Sequence, residues 1–316
     1  MPHVLVAGRI HPSGIARLAS APGVTFEMVA EVSEPSYAGL IEGADALILR
    51  TQPLSAATVA RAPRLRIVSR HGVGYDAVDV AALDARGIAL AIVGDVNSVS
   101  VAEHAMTLLL ACLKRLRLAD AAVREGGWDW RNRLEAGEAG GRRLLILGYG
   151  RAGRHLGRLA GAFGMEVRAF DPFVKGWPEG PVARCADLHE GLAWADAVSV
   201  HVPKGDRPLL GPEEIAAMKP GAILVNTARG GVVDEAALAG ALREGRLGGA
   251  GLDVFDTEPP PPGHPLLAHP NAVLSPHVAG LTAESAERMA VMSVRNVLDF
   301  FAGALDPSLI VNRNVP

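Results

Sequence analysis

The run Arg143–Leu147, followed by Gly148, Tyr149, Gly150, Arg151, Ala152 and Gly153, restricts this chain more than any other stretch: an apolar strand-like segment breaks into glycines spaced G-x-G-x-x-G. The spacing predicts a buried parallel strand, a tight turn at Gly148, and a backbone left open at Gly150 for a pyrophosphate. Gly153 is expected to let the next helix pack closely. That helix is predicted over Arg154–Gly164, with Leu156, Leu159, Ala160 and Phe163 on one face and its free N–H groups aimed at phosphate. A second strand, Glu166–Phe170, then ends at Asp171, and seventeen residues separate Gly153 from that acid. An acid at about this distance holds a ribose in dinucleotide sites. The plainer reading is a glycine-rich turn in which Asp171 caps the loop before Pro172.

Composition sets the outer bounds. A chain of 316 residues, 49% apolar, has room for two domains with a sizeable core in each. A net charge of −3 offers no footprint for nucleic acid or an anionic membrane, and the 27 arginines, set against 4 lysines, are scattered among acids. Cys112 and Cys185 lack metal-type spacing and are expected to be reduced core thiols. No His/Cys/Asp cluster suggests a metal. Met1, Pro2 and His3 lead directly into a strand-like run, Val4–Ala7, without a basic or cleavable leader, so a cytoplasmic protein is expected. The longest apolar helical stretch, Ala105–Leu113, is too short to span a bilayer.

Taken in order, the first part alternates strand and helix, with strands expected at Val4–Ala7, Thr25–Val29, Ala46–Leu49, Arg66–Ser69 and Ile88–Ile92. Loops holding Arg50, Thr51 and Gln52, and then Arg70 through Asp76, follow the third and fourth of these. Binding sites of open α/β sheets form at such strand ends. A long helix is expected from Ser98 through Val101, Ala105, Leu108, Leu109, Cys112 and Leu116, with Asn97 or Ser98 as its cap. Residues 119–141, with Trp128 and Trp130, read as an excursion that packs on a second subunit or as a surface loop. Six more strands are expected at Leu144–Leu147, Val167–Phe170, Ala197–Val202, Ala222–Asn226, Gly251–Phe255 and Ala272–Ser275. One amphipathic helix, Leu281–Phe301, then returns the chain to the first domain. The fold class is therefore α/β, with two Rossmann-like, doubly wound parallel-sheet domains.

The chemistry gathers after three of the later strands. Arg229 follows the strand ending at Asn226, and its guanidinium can hold a carboxylate bidentately. Asp256, Thr257 and Glu258 follow the strand ending at Phe255, and His277 follows the last strand. A histidine exchanges protons near neutral pH, and a neighbouring carboxylate favours its charged form and holds one tautomer.

At these residues the chain resembles the D-isomer-specific 2-hydroxyacid dehydrogenase family over nearly its whole length. The motifs that carry the resemblance are Arg70 to Asp76, Asn97 to His104, the glycine fingerprint with Asp171, Asn226 to Gly230, Gly251 to Phe255, and Ser275 to His277. The resemblance implies a split substrate domain, residues 1–97 and 284–316, around an inserted NAD-binding domain, residues 98–283, and a homodimer. It implies that Arg229 orients a 2-oxo acid, that His277 donates or accepts the proton, and that Glu258 supports His277. The backbone of Val73 and Gly74 would receive the substrate carboxylate, beside Arg50 and Asn97, and Asp253 would hold the nicotinamide carboxamide. Further cofactor contacts are expected from Tyr149, Arg151, Ala152, Val202, Pro203, Thr227, Ala228 and Gly280, and from His277 itself. The chain departs from many relatives at His201 to Arg207, where a Pro-Leu-Thr run is usual, which leaves the adenine side less defined. No further module follows Pro316, so feedback by a bound amino acid is not expected.

These readings predict an NAD-dependent oxidoreductase for a small, polar 2-hydroxy or 2-oxo acid, either 3-phosphoglycerate or glycerate, hydroxypyruvate or glyoxylate, because the loops offer no large apolar wall beyond Val73 and Tyr75. Asp171 favours NAD over NADP by repelling a 2′-phosphate. The alternatives are a dinucleotide-sensing protein like the co-repressors of this fold, and a formate or phosphite dehydrogenase. His3, His11, His155, His189, His264 and His269 read as surface or loop residues, and His71, His104 and His201 as packing groups near the site.

Overall fold

Two parallel sheets organise the chain in a computed structural model that describes residues 1–312. They belong to two compact units, one formed by Met1–Asn97 with the chain from Leu281 on, the other by Ser98–Gly280. The last four residues of the expected segment 284–316 lie outside the described residues. In the first unit the strands are β1 His3–Ala7, β2 Thr25–Val29, β3 Ala46–Leu49, β4 Ile67–Arg70 and β5 Ala89–Ala91, in the order β2-β1-β3-β4-β5. Period-two alternation sends Leu5, Leu47, Leu49, Val68 and Leu90 to one core and Val4, Val6, Ala46, Ile48 and Ile67 to the other. Ala290, Val294 and Val297 of the helix Ala283–Phe301 complete that second core, so the chain's last long helix belongs to its first sheet. Each buried valine, leucine or isoleucine among these contributes roughly 1.5–3 kcal/mol.

The second unit holds β6 Arg143–Leu147, β7 Glu166–Phe170, β8 Ala183–Arg184, β9 Ala197–Val200, β10 Ile223–Asn226, β11 Gly249–Leu252 and β12 Ala272–Leu274. Their order is β12-β11-β10-β9-β6-β7-β8, seven strands where six were expected, because the short β8 pairs onto the edge at β7. Strand order reverses at β6, which lies between β7 and β9. Doubly wound sheets bind ligands at that reversal. Leu145, Leu147, Val198, Val200 and Leu224 face one core, and Leu144, Ile146, Val167, Ile223 and Val225 face the other. The helix Ser98–Leu113 covers the second core, and a Cβ at Gly251 would stand 2.7 Å from Leu108 Cβ, so the strand's glycines let that helix sit close.

Helix starts follow sequence chemistry. Ser55, Asp79, Asp187, Asp234 and Thr282 each cap a helix by accepting the backbone N–H three residues on. Some boundaries differ from the expectation. The helix from Ser98 stops at Leu113, and Arg115, at φ 52°, turns the chain into a separate helix, Leu116–Arg124. Strands β9 and β11 end at Val200 and Leu252, which leaves Val202 and Asp253 in loops. Residues 119–141 are partly helical, with a 3-10 turn at Trp128–Arg133. Among the described residues no helix is long and apolar enough to cross a membrane.

Candidate functional site

The glycine turn shows three separate duties. Gly148 has φ +94°, and a Cβ there would meet the His201 carbonyl oxygen at 2.6 Å, so both its conformation and its neighbour require glycine. A Cβ at Gly153 would stand 2.2 Å from the Gly148 carbonyl oxygen, which is the close packing the sequence predicts. Gly150 faces open space, and the helix after it begins at Arg151, three residues earlier than expected. The N–H groups of that first turn, including those of Arg151 and Ala152, are the ones a helix leaves unpaired within itself, and with the dipole they attract phosphate.

Asp171 leaves the end of β7 and is tied to this turn. Its Oδ2 accepts the Tyr149 N–H at 2.8 Å and its Oδ1 accepts the Phe173 N–H at 2.9 Å. The Tyr149 ring stacks on Trp177, with centroids 4.7 Å apart, and this pins the loop that follows Asp171 against the glycine turn. Arg168 is held over the Trp194 ring at 4.2 Å. After β9, His201 pairs through Nε2 with Ser199 Oγ at 2.9 Å, and its surroundings draw its pKa down to about 4. Val202 lies against Gly148, and Pro203 is exposed. After β10, Thr227 and Ala228 are buried, and Thr227 Oγ1 has no partner among the described residues. An open glycine turn, an acid held at the neighbouring strand end and an orphaned buried hydroxyl fit a dinucleotide.

The pair expected to serve as acid and base, His277 with Glu258, is assembled in the same unit. His277 Nδ1 donates to Glu258 Oε2 at 2.7 Å, and Glu258 Oε1 accepts the Phe255 N–H at 3.1 Å. The bond fixes the tautomer and leaves His277 Nε2 for chemistry. His277 sits at φ 53°, a conformation costly for a residue with a side chain. Asp253 holds it there: the Asp253 carbonyl accepts the His277 N–H at 2.8 Å, while the carboxylate accepts the N–H groups of Val278 at 2.9 Å and Ala279 at 2.8 Å. Ser275 Oγ donates to the same carboxylate at 2.5 Å and accepts from His104 Nε2 at 2.7 Å. Asp253, expected to hold a carboxamide, is 0% exposed. In this structure it anchors the histidine loop, in which Gly280 follows Ala279.

Arg229 donates from Nη1 to the Ala228 carbonyl at 2.6 Å. Gly230 beside it is pressed to the loop of Glu258, since a Cβ there would stand 1.9 Å from the Phe255 carbonyl oxygen. In the other unit Arg50, Val73, Gly74 and Asn97 all lie past the C-terminal ends of β3, β4 and β5. Arg70 shapes that region by donating to the carbonyls of Leu49, Arg50 and Gly74.

Sequence reasoning missed one pair. His264, expected as a surface or loop residue, lies in a loop but is half-buried and donates from Nε2 to Glu235 Oε2 at 2.9 Å, and Glu235 Oε1 accepts the Asp256 N–H at 2.7 Å. Burial pushes the Glu235 carboxyl up, opposed by the Asp256 N–H. No local pattern links residues 235 and 264.

Comparison with known proteins places these features. Residues 106–279 match the family described as D-isomer specific 2-hydroxyacid dehydrogenase, NAD binding domain. A glyoxylate reductase of Korarchaeum cryptofilum is 38% identical over 98% of this chain and 96% of its own. A D-3-phosphoglycerate dehydrogenase of Mycobacterium tuberculosis is also 38% identical over 98% of this chain, which spans only 59% of that protein. The crystal structure of the TT0316 protein from Thermus thermophilus superposes with a TM-score of 0.89 at 38% identity, covering 96% of this chain and 98% of that one.

Proposed function

This chain belongs to the D-isomer specific 2-hydroxyacid dehydrogenase family and is an NAD-dependent oxidoreductase acting on 2-hydroxy acids, and from that premise we propose that it interconverts a small polar 2-oxo acid and its D-2-hydroxy acid through His277, Glu258 and Arg229. The observation that carries the assignment of residues is the 2.7 Å bond from His277 Nδ1 to Glu258 Oε2. A nicotinamide bound by residues 98–283 would supply hydride chemistry to the carbonyl carbon. His277 gives its Nε2 proton to the carbonyl oxygen, so the pair of additions balances as an alcohol, and in reverse neutral His277 takes the proton back. Glu258 keeps the ring oriented and stabilises its charged form, and Arg229 opposes charge that develops on the substrate oxygens. Proton transfer of this kind is worth roughly 10²–10⁴-fold.

On this reading residues 98–283 hold the cofactor. Gly148 to Gly153 take the pyrophosphate, Asp171 takes the adenosine ribose and favours NAD over NADP, and Val202, Pro203, Thr227, Ala228 and Gly280 line the rest. The remaining residues form the substrate domain, where the Val73 and Gly74 backbone, with Arg50 and Asn97, selects a short polar acid. Glyoxylate and hydroxypyruvate, and 3-phosphoglycerate by way of its phosphorylated oxo acid, are the substrates this set favours, in keeping with the names of the relatives. A homodimer accounts for the helix Leu116–Arg124, which buries none of its own residues and leaves Leu116, Val123 and nearby Trp128 exposed. The buried thiols Cys112 and Cys185 suit a reducing cytoplasm.

Steady-state assays with NADH and glyoxylate, hydroxypyruvate, phosphohydroxypyruvate and phenylpyruvate test the proposal. Turnover of one of the first three, lost in His277→Ala with NADH binding kept, is expected. Faster turnover of phenylpyruvate would overturn the polar-substrate reading, and oxidation of formate alone would replace the alcohol–ketone couple.

A further inference from the structure

We propose that Glu235 and His264 form a clamp that positions Glu258 against His277. The inference rests on Glu258 and His277 being the acid–base pair, as read above. Glu235 is the first residue of the helix Glu235–Arg243, fixed there by the cap at Asp234. One of its oxygens accepts the Asp256 N–H at 2.7 Å and the other accepts His264 Nε2–H at 2.9 Å. Asp256 and His264 are the two ends of the segment that carries Glu258, so a single carboxylate ties both ends to a rigid helix.

The surroundings favour a specific geometry over a loose contact. The two side chains are 13% and 14% exposed, which shields the bond from water. His264 Nδ1 is buried without a partner among the described residues. A proton there would be an unpaired buried donor, so the neutral ring carries its hydrogen on Nε2, facing Glu235. The Phe255 ring meets His264 edge-on at 6.0 Å, and the Phe255 N–H is the group that orients Glu258 Oε1, at 3.1 Å. Prolines at 259–262 stiffen the span, so a displacement at its end is passed along instead of being absorbed. Neither Glu235 nor His264 reaches His277. Both act through Glu258 and are positioning residues.

A double-mutant cycle reads this directly. His264→Ala should lower kcat roughly tenfold in the otherwise unchanged enzyme, since a small misplacement near a reacting group costs up to about 10²-fold. In a Glu258→Gln background the same change should cost less than about twofold, because the group it positions is already impaired. His264→Gln, which keeps an N–H near the Nε2 position, should restore most of the rate, and the Kd for NADH should stay constant throughout. Equal losses in both backgrounds, or no loss, would overturn the clamp. Hydrogen exchange at the Asp256 amide, measured without substrate, is expected to quicken in His264→Ala, and unchanged protection would also overturn it. An enzyme inert toward every 2-oxo acid would instead sink the functional reading, and the exchange measurement would still decide the clamp.

Discussion

Replacing His71 by leucine should flatten the acid limb of this protein's stability curve. His71 opens the loop after β4 and is 6% exposed. Burial, reinforced by the charges of Arg50 and Arg70, draws its pKa from 6.5 down to about 4. The folded ring therefore stays neutral through a range in which the unfolded ring takes up a proton. Where the unfolded chain binds more protons, stability rises with pH; this contribution is intact above pH 6.5 and is lost progressively as pH falls toward 4. Working the two titrations through, the loss between pH 7 and pH 5 comes to about 2 kcal/mol from this one side chain. Urea unfolding at pH 7, 6 and 5 measures it, best followed by far-UV circular dichroism because Trp128, Trp130, Trp177 and Trp194 all lie in the other unit. The substitution also changes packing, but that offset is the same at every pH. His71→Leu should lose about 2 kcal/mol less than the unchanged protein over this range. Parallel curves would show that the buried His71 ring takes up its proton no later than the unfolded ring does.

Two further outcomes test the cofactor region. Asp171→Ala removes a charged acceptor whose hydrogen bonds are worth about 1.5–3 kcal/mol, so the KM for NADH should rise roughly 10- to 100-fold and discrimination against NADPH should narrow; an unchanged ratio of efficiencies for the two cofactors would remove Asp171 from the ribose site. Gly153→Ala sets a Cβ 2.2 Å from the Gly148 carbonyl oxygen. It should cost about 1–3 kcal/mol in unfolding free energy and weaken NADH binding in a fluorescence titration, and unaltered binding would show that the approach of these glycines does not shape the turn.

Much of this protein is legible along the chain because the decisive interactions are local. The alternation in Val4–Ala7 and Leu144–Leu147, the glycine turn, and the caps at Asp234 and Thr282 each draw on residues only a few positions apart. Asp171 is legible for the same reason, since one helix and one strand place it beside Tyr149. The helix break at Arg115 left no trace, because arginine suits a helix interior and nothing in its neighbours along the chain marks the left-handed backbone it adopts. What the tertiary structure alone decided is which side chains meet across strand ends. It joins Glu235 to His264 across 29 positions, brings His104 onto Ser275, and gives the Asp253 carboxylate the N–H groups of Val278 and Ala279. Such pairings depend on strand order and on the packing of long loops, and a buried carboxylate takes whichever N–H groups the fold delivers to it.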